Sequence, residues 1–236
     1  MKRILYLTPS SFCWGVEKSL KDLDRVCEKH PGEPLYCVHA IVHNPGVAQT
    51  YAEKGIRFVE TIDEITDPEA IVTFSAHGTN RSILDEAKKR FKAVYNLECP
   101  LVTKVYKEID MYAKKGITTF LYIAKEGHQE AKNVIGYIKD SGYTVYHFQN
   151  NDEIPLLSAD IPFAVLSQTT LNYEHVKSVI EEIQRKYPTA QLPPLTDICK
   201  ATRERQTVIL QNSDAFDALL VLGGKESHNT KELYQL

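Results

Sequence analysis

At 236 residues, 43% of them hydrophobic and 25% charged, the chain has ordinary globular composition and enough apolar material for one large domain or two to three small ones. A formal net charge of -3 leaves no basic footprint for nucleic acid. No run of about 18 apolar residues marks a membrane span, and the opening "MKRILYLTPS" is too short for a signal peptide. The expected location is therefore cytoplasmic, with no plastid-type targeting segment. In that compartment the five cysteines, Cys13, Cys27, Cys37, Cys99 and Cys199, are expected to be reduced, and their odd number argues against a disulfide framework.

In chain order, "RILYLT" (3–8) reads as a strand, and "GVEKSLKDLDRVCEK" places Val16, Leu20, Leu23 and Cys27 on one helical face. "PLYCVHAIV" (34–42), "IRFVE" (56–60) and "AIVTFSA" (70–76) read as strands. "NRSILDEAKKR" then reads as a helix opened by an Asn or Ser cap. "KAVYNL" (92–97), "TTFLYIA" (118–124), "TVYHF" (144–148), "FAVLSQ" (163–168) and "ALLVLG" (218–223) complete the strands. Helical patterns such as "VTKVYKEIDMYAKKG" and "EHVKSVIEEIQRKYP" lie between them. Such alternation predicts an α/β fold with parallel sheets.

Three stretches each bring a cysteine to the opening of a helix: "RILYLTPSSFC-WGVEKSL", "KAVYNLEC-PLVTKVYKEI" and "PPLTDIC-KATRERQTVI". The spacing predicts three pseudo-related modules, over 1–98, 99–195 and 196–236, each offering one cysteine; no sequence identity links them beyond this placement. A helix N-terminus favours a thiolate through its unpaired N–H groups and dipole. Thiolates are what iron–sulfur clusters require, and three could hold a four-iron cluster with one iron open. Core thiols fit the same placement. Zinc is a weaker fit, because no paired C-x₂₋₄-C occurs. Cys27, on an apolar helix face, and Cys37, inside a strand, read as core residues.

The strand ends carry polar residues. His43 follows "CVHAIV", His77 follows "FSA", and His128 and Glu130 follow "YIAKEG". Thr169 and Thr170 follow "VLSQ", and Ser227, His228 and Asn229 follow "VLGGKE". In open parallel sheets ligands bind at the carboxyl ends of strands. Neutral and imidazole donors of this kind suit a diphosphate. Each residue also has a plainer reading as a loop or capping group, but their convergence at so many strand ends favours a pocket. His30, His39, His147 and His175 read as structural or exposed.

The segments "FCWGV", "IVHNPGV", "FSAHGT", "CPLVTKV", "EGHQEA", "SQTTLN", "DICKATRERQ" and "SHNT" span nearly the whole chain. In order and content they resemble the 4-hydroxy-3-methylbut-2-enyl diphosphate reductases of the non-mevalonate isoprenoid pathway. The resemblance implies a trefoil arrangement of three α/β modules around a central iron–sulfur cluster. That cluster would be one [4Fe-4S] group held by Cys13, Cys99 and Cys199, with one open iron acting as a Lewis acid for the substrate's C4 hydroxyl. The resemblance further implies that the substrate diphosphate binds His43, His77, Ser227 and Asn229, with His128 nearby. Glu130 would be the proton source and Thr169 the relay at the hydroxyl. Isopentenyl and dimethylallyl diphosphate would be the products, and ferredoxin or flavodoxin the electron donor.

The chain departs from the family pattern in several places. Trp14 stands where a small residue is usual, which predicts a bulkier wall beside Cys13, and Ser11 stands where glycine is usual. "NLECP" replaces "DATCP", Ala40 replaces an acidic residue, and His228 replaces a second serine while keeping a donor for a phosphate oxygen. The ending "NTKELYQL" resembles the first turns of a helix, so the third module is expected to be incomplete and to lack a further binding serine. Two rival readings follow: an enzyme acting on another phosphorylated alcohol, and a non-catalytic iron–sulfur sensor.

Overall fold

The computed structural model describes residues 4–158, 160–193 and 197–236. In chain order the elements are α1 (Trp14–Lys29), β1 (Leu35–Val38), α2 (Pro45–Glu53), β2 (Arg57–Val59), β3 (Ile71–Phe74), α3 (Arg81–Arg90) and β4 (Ala93–Asn96). Next come α4 (Pro100–Lys114), β5 (Thr119–Ile123), α5 (Gln129–Asp140), β6 (Thr144–Phe148), β7 (Phe163–Ser167), α6 (Tyr173–Lys186), α7 (Lys200–Gln211) and α8 (His228–Gln235). β1–β4 form one parallel sheet in the order β2-β1-β3-β4; β5–β7 form a second parallel sheet in the order β6-β5-β7.

Both sheets are covered on two faces, so their central strands are continuous apolar runs and do not alternate. In the second sheet Phe120 and Tyr122 pack with Val105, Ile109, Val134 and Ile138 of α4 and α5. Their neighbours Leu121 and Ile123 face the other way, onto Val176, Val179 and Ile183 of α6. The first sheet divides in the same manner: Cys37 and Ile71 pack with Leu23 and Val26, while Val38, Val72 and Phe74 meet Ala87 and Phe91. Each fully buried aliphatic or aromatic side chain contributes roughly 1.5–3 kcal/mol, which fixes the register that carries the strand ends. Cys37 is fully buried and Cys27 packs on the same core.

The expected strand at 3–8 does not form among the described residues, and neither does the one at 218–223. Ile4 is 97% exposed and Leu222 83%. A strand needs a neighbour to pair its N–H and C=O groups, and no described segment exchanges backbone hydrogen bonds with either run. The third module is accordingly represented by α7 and α8 without a sheet. The strand expected over 34–42 stops at Val38, because His39 adopts φ 60, the left-handed region that ends an extended ladder.

Candidate active site

Each sheet has a switch point at which successive crossovers leave in opposite directions, and a crevice opens there at the carboxyl ends of the strands. In the first sheet it lies between β1 and β3, and the segments beyond these strands carry His43 and His77. In the second it lies between β5 and β7, which lead to His128, Glu130 and Thr169.

Glu130 sits in the first turn of α5 and is buried. Thr169 donates its backbone N–H to Glu130 Oε1 at 2.7 Å and its hydroxyl to Oε2 at 2.9 Å. These bonds favour the carboxylate, but loss of water outweighs them and pushes the Glu130 pKa up to about 7. At neutral pH the residue therefore holds and releases a proton readily. Thr170 is not part of this pair; its hydroxyl accepts from Gln168 Nε2.

Four imidazoles converge beside it. The ring centroids of His43 and His77 are 4.1 Å apart, and those of His128 and His228 are 4.2 Å apart. His128 caps α5 by accepting the Glu130 N–H on Nδ1, so in the neutral ring the proton belongs on Nε2, a buried donor without a partner among the described residues. His228 Nδ1 and Asn229 Oδ1 are also buried and unpartnered among the described residues. Orphaned polar atoms of this kind call for a ligand or solvent. Burial holds all four rings neutral, with His77 at about 3, His128 at about 2, His228 at about 4 and His43 below its ordinary value. Ser227 caps α8, its Oγ accepting the Thr230 N–H at 3.3 Å, and keeps its own proton to donate. A Cβ on Gly224 would collide with the His43 carbonyl, so only glycine lets the loop before α8 lie against the His43 loop.

Cys13, Cys99 and Cys199 are the N-cap residues of α1, α4 and α7. A Cβ built on Gly15 would lie 2.6 Å from Cys99 Sγ and 3.9 Å from Cys13 Sγ, so the first turn of α1 is pressed against these two thiols. A negative charge on Cys13 raises the pKa of both Cys99 and Cys199, which places the three thiols in electrostatic contact. The expected lowering at a helix N-terminus is not what dominates. Burial pushes Cys99 up to about 11 and raises Cys199 too, against the N–H groups of Leu101, Val102 and Thr202. Thiolates here need a cation to replace the lost water. Among the described residues no group of three His, Cys, Asp or Glu side chains is placed to hold a single metal ion. Trp14 is 66% exposed, so the bulkier wall expected beside Cys13 is not built by burying its indole. Ser11 adopts φ 64, the conformation glycine takes without strain.

Three further residues at this site draw no role from the sequence, although Glu98 stands in "NLECP" and Asp197 in "DICKATRERQ". Asn133 on α5 donates from Nδ2 to the carbonyl of Gly78 at 2.6 Å and that of His77 at 3.3 Å, holding the His77 loop. Glu98, the departure beside Cys99, is drawn in and its pKa is raised by burial; its Oε1 accepts the Thr103 hydroxyl at 2.6 Å. Asp197 is also buried, two residues before Cys199.

Fold and site together define an α/β protein with a composite polar site, built from one thiol-bearing helix start per module and the switch points of two parallel sheets. The LytB protein family matches residues 4–236, and the chain belongs to that family. It is 36% identical over 236 residues to a 4-hydroxy-3-methylbut-2-enyl diphosphate reductase of Actinobacillus succinogenes, covering 99% of this chain and 74% of that one. It is 35% identical to the reductase of the same name from Corynebacterium efficiens, covering 100% of this chain and 69% of the relative. Among solved structures it resembles the E-1-hydroxy-2-methyl-but-2-enyl-4-diphosphate reductase of Plasmodium falciparum, with a TM-score of 0.87 and 27% identity over 96% of this chain and 70% of that one. No helix among the described residues is long and apolar enough to cross a membrane.

Proposed function

We propose that this chain is a 4-hydroxy-3-methylbut-2-enyl diphosphate reductase. In that reaction two electrons and two protons enter, the C4–oxygen bond breaks, the hydroxyl leaves as water, and isopentenyl and dimethylallyl diphosphate form. The observation that carries the reading is the Glu130–Thr169 pair, lying in one site with a cluster of neutral histidines and three helix-capping thiols.

His43, His77, His128, His228, Ser227 and Asn229 bind the diphosphate, with the unpartnered Nε2–H of His128 as one donor. Thr169 orients the carboxyl of Glu130 toward the substrate hydroxyl, and Glu130 delivers the proton that lets it depart as water. Cys13, Cys99 and Cys199 fit a [4Fe-4S] cluster: a cluster is broader than a single ion, its iron would supply the charge that buried thiolates need, and glycine at 15 keeps a Cβ out of the space beside the Cys99 thiol. When bound, it supplies electrons singly and an open iron for the hydroxyl. A low-potential ferredoxin or flavodoxin is the electron donor in this reading, and the cytoplasm the compartment.

An anaerobic Mössbauer spectrum of iron-enriched protein, with and without the hydroxylated diphosphate, tests this reading. One distinct iron whose signal changes on substrate addition is the expected result, together with formation of the two isomeric products under a strong reductant. Failure to acquire a cluster after careful reconstitution overturns it.

A further inference from the structure

The buried carboxylate of Asp197 is held from two directions. Lys104 Nζ donates to its Oδ1 at 2.9 Å, and the backbone N–H of Ser167 donates to its Oδ2 at 2.8 Å. Two residues on, the N–H of Cys199 donates to the Thr169 carbonyl at 2.9 Å. Residues 197–199 thus lie beside 167–169 and are tied at both ends, by a side chain at one and a backbone bond at the other. Thr169 is the residue that gives two hydrogen bonds to Glu130. Lys104 lies on α4 five residues after Cys99, about 7.5 Å along the axis at 1.5 Å per residue. Its ammonium also meets Glu108 Oε1 at 2.9 Å, one turn further on.

We propose that Asp197, anchored by Lys104, is a positioning residue that sets where Cys199 stands relative to Cys99 and to the Glu130–Thr169 pair. The inference rests on the reading of Cys13, Cys99 and Cys199 as cluster ligands. The start of α7 is held also by Ile198, buried in the second sheet's core, and the helix by Gln206, which accepts the Tyr173 N–H and donates to the Leu171 carbonyl. Beside these contacts, the Asp197 carboxylate is the one that reaches across to α4. The carboxylate couples three separate pieces: the helix that Cys99 caps, the end of β7, and the turn into α7. Outer partners that orient a ligand-bearing segment commonly govern metal affinity as much as fold. A bond that served stability alone would need no particular relation to the three thiols. This one links the second turn of the helix that Cys99 caps to the turn leading into the helix that Cys199 caps.

The test compares wild type, Asp197→Asn, Lys104→Met and Lys104→Arg as full chains. In cluster-free protein, thermal unfolding reports the fold, and alkylation by iodoacetamide, resolved by mass spectrometry, reports Cys199 against Cys99. In reconstituted protein, iron and sulfide content, resistance to a chelator and the electron paramagnetic resonance of the reduced form report the site. We expect the Asn and Met variants to fold, to alkylate Cys199 faster, and to lose iron to chelator about ten-fold or more faster. Lys104→Arg should keep wild-type values, because it retains charge and donors. Unchanged Cys199 reactivity and chelator resistance in both variants would overturn the proposal, as would changes that merely track a lower unfolding temperature. If Asp197→Asn does not fold, Lys104→Met decides, its native side chain being 43% exposed. If wild type itself takes up no iron, the cluster assignment fails while Cys199 alkylation still judges the positioning role.

Discussion

Thr169 gives both its backbone N–H and its hydroxyl to a single carboxyl group, that of Glu130, at 2.7 and 2.9 Å. The two residues belong to different crossovers, one following β5 and the other following β7, and meet because those strands are neighbours. Replacing Glu130 by Gln keeps an acceptor for Thr169 but removes the transferable proton. Turnover should fall by about 100-fold or more, the usual contribution of a positioned acid, with substrate affinity little changed. Single-turnover kinetics alongside equilibrium binding check this split, and a non-catalytic sensor would be indifferent to the exchange.

The pH dependence follows from the same carboxyl. Its pKa is raised from 4.5 to about 7, so the proton-donating form prevails below neutrality, and the rate should decline as pH rises through about 7. Stability follows in the same direction. A carboxyl that binds its proton more tightly when folded contributes fully below its unfolded pKa of 4.5, and the contribution is lost as pH rises through about 7. In the Gln variant the pH dependence of Tm across this window should flatten.

The histidine cluster titrates with the opposite sign. Burial keeps His77, His128 and His228 neutral, at about 3, 2 and 4, so they take up protons less readily than in the unfolded chain. Their contribution to stability is present above the ordinary histidine pKa of 6.5 and declines as pH falls below it. An entering diphosphate reverses the balance, because its charge favours imidazolium. Around His228 it would act against Lys125, Lys231 and His43 and alongside Glu226. Binding should therefore take up protons. Calorimetry in buffers of different ionisation enthalpy measures the uptake, and His228→Ser should lower it; equal uptake in both proteins would remove His228 from the binding set.

Gly15→Ala sets helix propensity against space. Alanine favours a helix over glycine by at most about 1 kcal/mol, less in the first turn where Gly15 stands, but the new Cβ would stand 2.6 Å from Cys99 Sγ. Crowding of a packed site costs about 1–3 kcal/mol, so the variant should be less stable or should displace Cys99. Iron uptake should fall in either case, and iron content with chemical unfolding of the cluster-free protein measures both effects.

Asn133→Ala removes the donor for the Gly78 and His77 carbonyls, which lie on the other sheet's crossover. An unpaired buried carbonyl costs about 1–3 kcal/mol, and urea unfolding should register a loss in that range. Affinity for inorganic diphosphate should weaken as well, since His77 loses its support.

Much of the architecture was legible in local pattern. The unbroken apolar runs "IVTF" and "TFLYI" and the helical periods between such runs depend only on which residues must face a core, and those strands and helices form where the pattern predicts. His43, His77, His128, Glu130 and Thr169 were legible as polar residues placed just after apolar runs. Parallel strands send those positions to one edge of each sheet, which is why so local a signal picks out residues that gather in one candidate site. The segments 3–8 and 218–223 carry an equally strong strand pattern, yet no strand forms there among the described residues. Side-chain preference can favour an extended chain but cannot supply the neighbour that pairs its backbone. Tertiary structure alone decided the remaining features. Asp197 and Asn133 act through partners 93 and 55 residues away, and no local pattern encodes such a meeting. The thiol acidities of Cys99 and Cys199 likewise depend on how much water the finished fold removes, and burial there outweighs the helix start visible in the sequence.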